Sequence, residues 1–263
     1  GYVWGYMLGG VDEGALNNAR HTYAAAAEGF DRYNNPNAAI DATLLVAQLD
    51  AKMGRLAEAE SALNDALKRA HDLSYDAAIA RIEVNLASAH GIGGRHEACV
   101  AGCLAGARRF EALGRTGDQS LALLGAGEAL VNLERLDDAD TIFEEAEHLL
   151  SSMSDGRGVR AAEAWRCHVR LAQGGLERDA ALLDGLCDAM EHAGDLTLAM
   201  QHRLTLAIRI EADPERAQAL LTQAQEVGVW PIAVAAEAWL LACSGASPES
   251  LAQDAEAKGY RSL

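Results

Sequence analysis

Apolar and polar positions along this chain follow a helical rhythm, and strand-like alternation is nowhere sustained. In the stretch from Leu56 to Leu67, the residues Leu56, Ala59, Leu63, Ala66 and Leu67 return every three or four positions, so they share one face of an α-helix. Charged and polar residues such as Glu58, Glu60, Asn64 and Asp65 fill the other face. Gly54 precedes this helix, and the same glycine-then-helix unit returns at Gly14, Gly94 and Gly174, with Glu134 in the one missing slot. The period is therefore 40 residues across five occurrences. These five helices and the one that starts at Pro214 each carry two small residues seven apart: Ala19 and Ala26, Ala59 and Ala66, Ala98 and Ala105, Ala139 and Ala146, Ala180 and Cys187, Ala217 and Ala224. A third small residue keeps the same beat upstream of the turn, at Ala47, Ala87, Gly127 and Cys167.

Residues seven apart lie two turns along one helix face, so each second helix offers small side chains to a neighbour and lets backbones approach closely. A glycine after the first helix takes the left-handed conformation that returns the chain as an antiparallel partner. One such hairpin cannot bury its apolar stripe alone, whereas a stacked series can. The pattern predicts hairpins at about 38–53 with 56–72, 75–91 with 95–113, 118–132 with 136–153, 159–173 with 176–192, and 195–211 with 214–227. A first helix covers about 13–33, and a last pair covers about 232–243 and 248–258. Pro36 follows a turn signal, Asn34-Asn35, and Pro214 with Asp213 before it reads as a capped helix start. The cluster Tyr2, Trp4, Tyr6 and Met7 reads as a helix remnant packed on the first hairpin, with a binding edge as the alternative.

The runs Asn85-Leu86-Ala87-Ser88-Ala89 and Gly94-Arg95-His96-Glu97-Ala98 resemble the tetratricopeptide repeat (TPR), as do the turns beginning at Gly14 and Gly54. The resemblance spans nearly the whole chain. It departs from the family in its period, which is nearer 40 than the family's 34, and in the absence from most copies of the proline that often closes a repeat. Repeats of this longer kind are similar to those of large bacterial signalling ATPases and of LuxR-like or SARP-like regulators. The expected fold is all-α, a right-handed superhelical solenoid of about six TPR-like helix pairs in a single domain over residues 1–263. Residues 1–33 form a partial first repeat and residues 230–263 a degenerate capping repeat.

Composition narrows the functional classes. The formal charge of −17, from 39 acidic and 22 basic residues, opposes approach to phosphate backbones and anionic membranes. Nucleic acid and membrane are therefore not expected partners of this segment. The five cysteines are scattered, and Cys99, Cys167 and Cys187 sit on the helical lattice as reduced core residues, which suits a cytoplasmic protein. No apolar run reaches the roughly 18 residues that span a bilayer.

Catalytic and metal readings are weaker. His96, Cys99 and Cys103 share a helix face, but a structural zinc takes four ligands, usually from two elements. Gly91-Ile92-Gly93-Gly94 follows a helix and lacks the lysine of a phosphate loop. Glu83, Ser88 and His90 have the letters of a hydrolytic triad without an oxyanion hole. The acidic run at Asp137, Asp138 and Asp140 suits a helix start. No enzyme activity, metal or cofactor is expected.

The resemblance implies that first helices line a concave, partner-facing surface. By the small-residue register that surface holds Asp41, Leu44, Gln48, Arg81, Asn85, Ser88, Leu124, Glu128, and Trp165 or Arg166, where the register slips by one. Arg81 with Asn85 resembles part of a carboxylate clamp, while Leu44 and Gln48 stand where further clamp residues belong. The expected role is a non-catalytic scaffold or sensor for a protein or peptide ligand within a larger bacterial signalling protein, with self-association open. The alternative is a small-molecule-sensing solenoid of a LuxR-like or SARP-like regulator, with Trp165 helping to wall a pocket.

Overall fold

A computed structural model describes residues 13–175, 177–227 and 230–245. The helices are α1 (Glu13–Arg32), α2 (Pro36–Lys52), α3 (Leu56–Asp72), α4 (Asp76–Ile92), α5 (His96–Ala112), α6 (Thr116–Asn132), α7 (Leu136–Ser152), α8 (Gly156–Ala172), α9 (Glu177–His192), α10 (Leu196–Thr205), α11 (Pro214–Val227) and α12 (Trp230–Cys243). No strand occurs among the described residues. The helices group into two compact units, α1 to α6 and α7 to α12. Within each unit, consecutive helices pack on one another, and so do next-but-one first helices: α2 with α4, α4 with α6, and α8 with α10. The expected helices at 56–72 and 214–227 have those bounds. The aromatic cluster at Tyr2, Trp4, Tyr6 and Met7 and the expected helix at 248–258 lie outside the described residues.

The local rhythm is shorter than the 40-residue period. Left-handed residues stand at Asn34, Gly54, Ser74, Gly94, Gly114, Glu134, Ser154, Gly174 and Gly194, one every twenty residues. Each closes its helix with the same pair of backbone bonds. At the first glycine turn, Gly54 N–H donates to Ala51 O at 3.0 Å and Arg55 N–H to Asp50 O at 2.8 Å, the Schellman pattern that occupies carbonyls left over at a helix end. Because the hydrogen bonds define the turn, asparagine, serine and glutamate fill it as well as glycine. Gly14, by contrast, lies inside α1 and closes nothing. Gly94→Ala is expected to lower stability by about 1 kcal/mol, since an L side chain is strained there. Glu134→Gly should change stability by less than about 1 kcal/mol, because relief of strain is offset by a floppier unfolded chain. Urea midpoints of the two variants check both.

The second helices from α3 to α9 bury one stripe at forty-residue equivalence. It runs Ala59, Leu63, Ala66 and Ala70 in α3; Cys99, Cys103, Gly106 and Phe110 in α5; Ala139, Phe143, Ala146 and Leu150 in α7; and Asp179, Leu183, Leu186 and Met190 in α9. This corrects the expected register twice. Ala98 is exposed and Ala105 half-buried, and Cys99 and Gly106 take the core positions, because α5 starts at His96, forty residues after Leu56. Likewise Ala180 is half-buried and Asp179 is the buried residue, its carboxylate accepting from Arg170 Nε at 2.9 Å. Ala217 and Ala224 are buried as expected. The small residues do bring backbones together: a methyl added at Gly102 would sit 2.7 Å from the Ala87 Cβ of α4.

The rhythm breaks at both ends. In α1 the equivalent stripe is more open, with Tyr23 at 37% and Phe30 at 38% exposure. At the other end α10 runs into a π-helical turn, Leu206–Glu211, and the left-handed residue Ala212 arrives eighteen residues after Gly194 instead of twenty. The closing bond there reaches one residue further back, from Asp213 N–H to Ala207 O at 2.9 Å, as a widened turn requires.

Candidate functional site

The first helices concentrate the buried polar side chains: Asp50 in α2, Asn85 and Ser88 in α4, Gln119 and Ser120 in α6, His168 in α8 and His202 in α10. The cause lies in the packing. Within each unit a first helix packs on neighbouring second helices and on another first helix, so much of its circumference is covered and polar positions inside must find partners.

In the first unit Asp50 pairs with Arg20 of α1 and with Arg55, Ser120 donates to the Gly117 carbonyl of its own helix, and two further links run from one first helix to the next. Asp41 of α2 forms an ion pair with Arg81 of α4, forty residues on, and also accepts from the Tyr75 hydroxyl at 3.3 Å. Two turns along, Gln48 Nε2 donates to Asn85 Oδ1 at 3.3 Å. Asp41, Gln48, Arg81 and, on α6, Glu128 are half-buried, so they keep an open side. Tyr75 sits in a turn and carries no periodic signal, so the sequence pattern missed it.

Other expected members of this surface lie deeper. Leu44 and Leu124 are core residues at 3% and 0% exposure, and Asn85 and Ser88 are buried beside them. Trp165, at 4%, stacks on Phe143 with ring centroids 5.8 Å apart and packs against His168 and His202. Its place is in the core of the second unit. Arg166 points to the neighbouring second helix, where Asp140 lies at 2.9 Å and Glu147 at 3.0 Å, and these hydrogen bonds hold its guanidinium charged. Burial and the nearby Glu147 push the Glu163 carboxyl upward. The half-buried polar members are therefore Asp41, Gln48, Arg81 and Glu128 in the first unit and Arg166 in the second.

A second polar constellation carries no sequence motif. His168 Nε2 and His202 Nδ1 lie 3.2 Å apart, so one nitrogen of the pair donates and the other accepts. His202 is fully buried, and loss of hydration drives its pKa down to about 3. Its equivalents one, two and three periods earlier are Ala162, Ala122 and Ile82, all buried. A histidine at a core position of the repeat is the only signal that could have found it.

For the metal reading, Cys99 and Cys103 lie together, but among the described residues no three His, Cys, Asp or Glu side chains are grouped to hold an ion. Glu83 is paired with Arg109 at 2.7 Å. No described helix is long and apolar enough to cross a membrane.

No family model and no curated protein matches the chain. Solved structures do. The aspartyl phosphate phosphatase F of Bacillus subtilis aligns at TM-score 0.67 and 11% identity, over 80% of this chain and 57% of its own length. A Rap protein complexed with Competence and Sporulation Factor aligns at TM-score 0.64 and 12% identity, over 94% of this chain and 76% of that one. BtubC of P. vanneervenii aligns at TM-score 0.55 and 17% identity, over 89% and 94%. At such identities the likeness is one of architecture, and with the helical register above it makes this chain an all-α, TPR-like helical-repeat solenoid.

Proposed function

We propose that this chain is a non-catalytic scaffold that binds a peptide or protein along its first helices, as the sensor part of a larger, cytoplasmic bacterial signalling protein. The observation that carries the reading is the polar ladder Asp41–Arg81 and Gln48–Asn85, which joins successive first helices while leaving Asp41, Gln48 and Arg81 partly open. Such groups are already oriented by one another, so a peptide's carbonyls, amides or charged ends meet them with little further ordering. The Rap protein of similar architecture, solved with Competence and Sporulation Factor, supports a ligand of this class. The chain spans 57% of the length of the phosphatase structure it resembles. The small-molecule alternative set Trp165 beside the concave polar residues, and Trp165 lies in the core.

A peptide display library panned on the purified chain tests this. Enriched sequences should bind in calorimetry at about 10 μM or tighter, and Arg81→Glu should weaken them at least about tenfold, worth about 1.4 kcal/mol, with the helical spectrum retained. Failure to enrich any sequence, or binding indifferent to Arg81→Glu, Gln48→Ala and Glu128→Ala alike, would remove the groove from the proposal.

A further inference from the structure

In one copy of the repeat, two core positions of the second helix carry sulfur. Cys99 and Cys103 are successive turns of one face of α5, with Sγ atoms 4.0 Å apart. In the sister helices the same positions are Ala59 and Leu63, Ala139 and Phe143, and Asp179 and Leu183, so packing requires neither thiol. Their surroundings leave room for sulfur. A methyl at Gly91, at the end of α4, would stand 3.0 Å from Cys99 Sγ, and one at Gly125 of α6 would stand 3.3 Å from Cys103 Sγ. The two thiols are also unequal. Cys99 is the fourth residue of its helix, near the positive end of the backbone dipoles, and keeps 5% exposure, whereas Cys103 has none. The hydrogen bond between them pulls the Cys99 thiol down, and the same bond with burial pushes Cys103 well up.

We propose that Cys99 and Cys103 form a redox-active dithiol, a modification site at which a hydroperoxide converts the pair into a disulfide within α5. The Cys99 thiolate attacks the terminal peroxide oxygen. The O–O bond breaks, the alkoxide or hydroxide leaves and takes up a proton, and Cys99 becomes a sulfenic acid. Cys103 sulfur then attacks Cys99 sulfur, the S–S bond forms, and hydroxide leaves with the Cys103 proton as water. Two thiols lose two electrons and two protons, and the peroxide is reduced to alcohol or water. β-Carbons four apart on a helix stand about 5–6 Å apart, whereas a disulfide holds them about 3.5–4.5 Å apart. Oxidation must therefore distort the turn from Cys99 to Cys103, and with it the packing of α5 on α4 and α6.

Hydrogen peroxide titration of the full chain, followed by alkylation and peptide mapping, reads the outcome, with exposed Cys243 and buried Cys187 as internal references. The expected product is a crosslinked peptide carrying Cys99 and Cys103 that is lighter by about 2 Da, is restored by dithiothreitol, and comes with a lower thermal midpoint. Cys99→Ala, which places the residue found at 59 and 139, should abolish the mass loss, and Cys103→Ala should stop the reaction at a sulfenic acid. Two results overturn the proposal: both thiols still alkylated in unfolded samples after peroxide has consumed Cys243, or Cys99 over-oxidised with no crosslink. Peptide mapping of the unaltered chain decides the matter even if a variant does not fold.

Discussion

Lowering the pH from 7.5 to 4.5 is expected to cost the second unit about 3 kcal/mol through His202 alone. The folded chain holds His202 neutral down to a pKa of about 3, because full burial strips the imidazolium of hydration. The unfolded chain releases the ring to the ordinary value of about 6.5. Between these values the unfolded state binds a proton that the folded state does not, so stability falls as pH falls. The contribution is intact above about pH 6.5, lost progressively below it, and fully spent near pH 3, at about 1.4 kcal/mol per unit. Carboxylates in ion pairs also weaken the fold at low pH, so the diagnostic is a difference. His202→Ile, with the side chain that Ile82 places at the equivalent position, should flatten urea midpoints between pH 6.5 and 4.5 by most of that amount. A His202 ring resonance titrating near 6.5 in the folded chain, or equal pH slopes for the two proteins, would rule the mechanism out.

The legible part of this fold was its period and the helices it implies. Gly54 and Gly94 mark turns because the left-handed position favours glycine, and Asp213 caps α11 as its sequence promised, accepting from the backbone of Glu215 at 2.9 Å and Arg216 at 3.1 Å. The twenty-residue rhythm stayed hidden because Asn34, Ser74, Glu134 and Ser154 occupy the same turn without a shared letter. Alanine is too common here to fix a register, so Ala98 and Ala105 stood for a stripe that belongs to Cys99 and Gly106. First helices pose a harder problem. They are covered on several sides, so an apolar side chain such as Leu44 or Leu124 does not report which face meets a partner, and the open residues emerge only from packing. His202 went unread because its only mark is a position forty residues from Ala162 and eighty from Ala122, and that register is fixed by packing.

The close approach of α4 and α5 yields the second large effect. A Cβ built on Gly106 would fall well inside van der Waals contact with Val84 Cγ2 and 3.5 Å from the Ala80 carbonyl oxygen, so the two backbones meet at the glycine. In the sister copies the equivalent pairs are Leu44 with Ala66 and Leu124 with Ala146, where a methyl is present and buried. The difference is β-branching. Valine fixes two methyls on Cβ with little rotamer freedom in a helix, whereas leucine carries one γ-carbon that can lie away from the facing helix. Gly106→Ala alone should therefore destabilise the chain by about 1–2 kcal/mol, since overpacking at a contact this close costs about 2–3 kcal/mol and outweighs the roughly 1 kcal/mol gained in helix propensity. Val84→Leu alone adds volume beside a glycine and should cost less than about 1.5 kcal/mol. Together, Val84→Leu and Gly106→Ala recreate the sister pair, so the double variant should recover to within about 0.5 kcal/mol of the original, a coupling of at least 1 kcal/mol in a double-mutant cycle. Additive losses would show that the glycine is needed for a backbone approach no leucine can accommodate, and that the repeat copies differ in helix separation as well as in side chains.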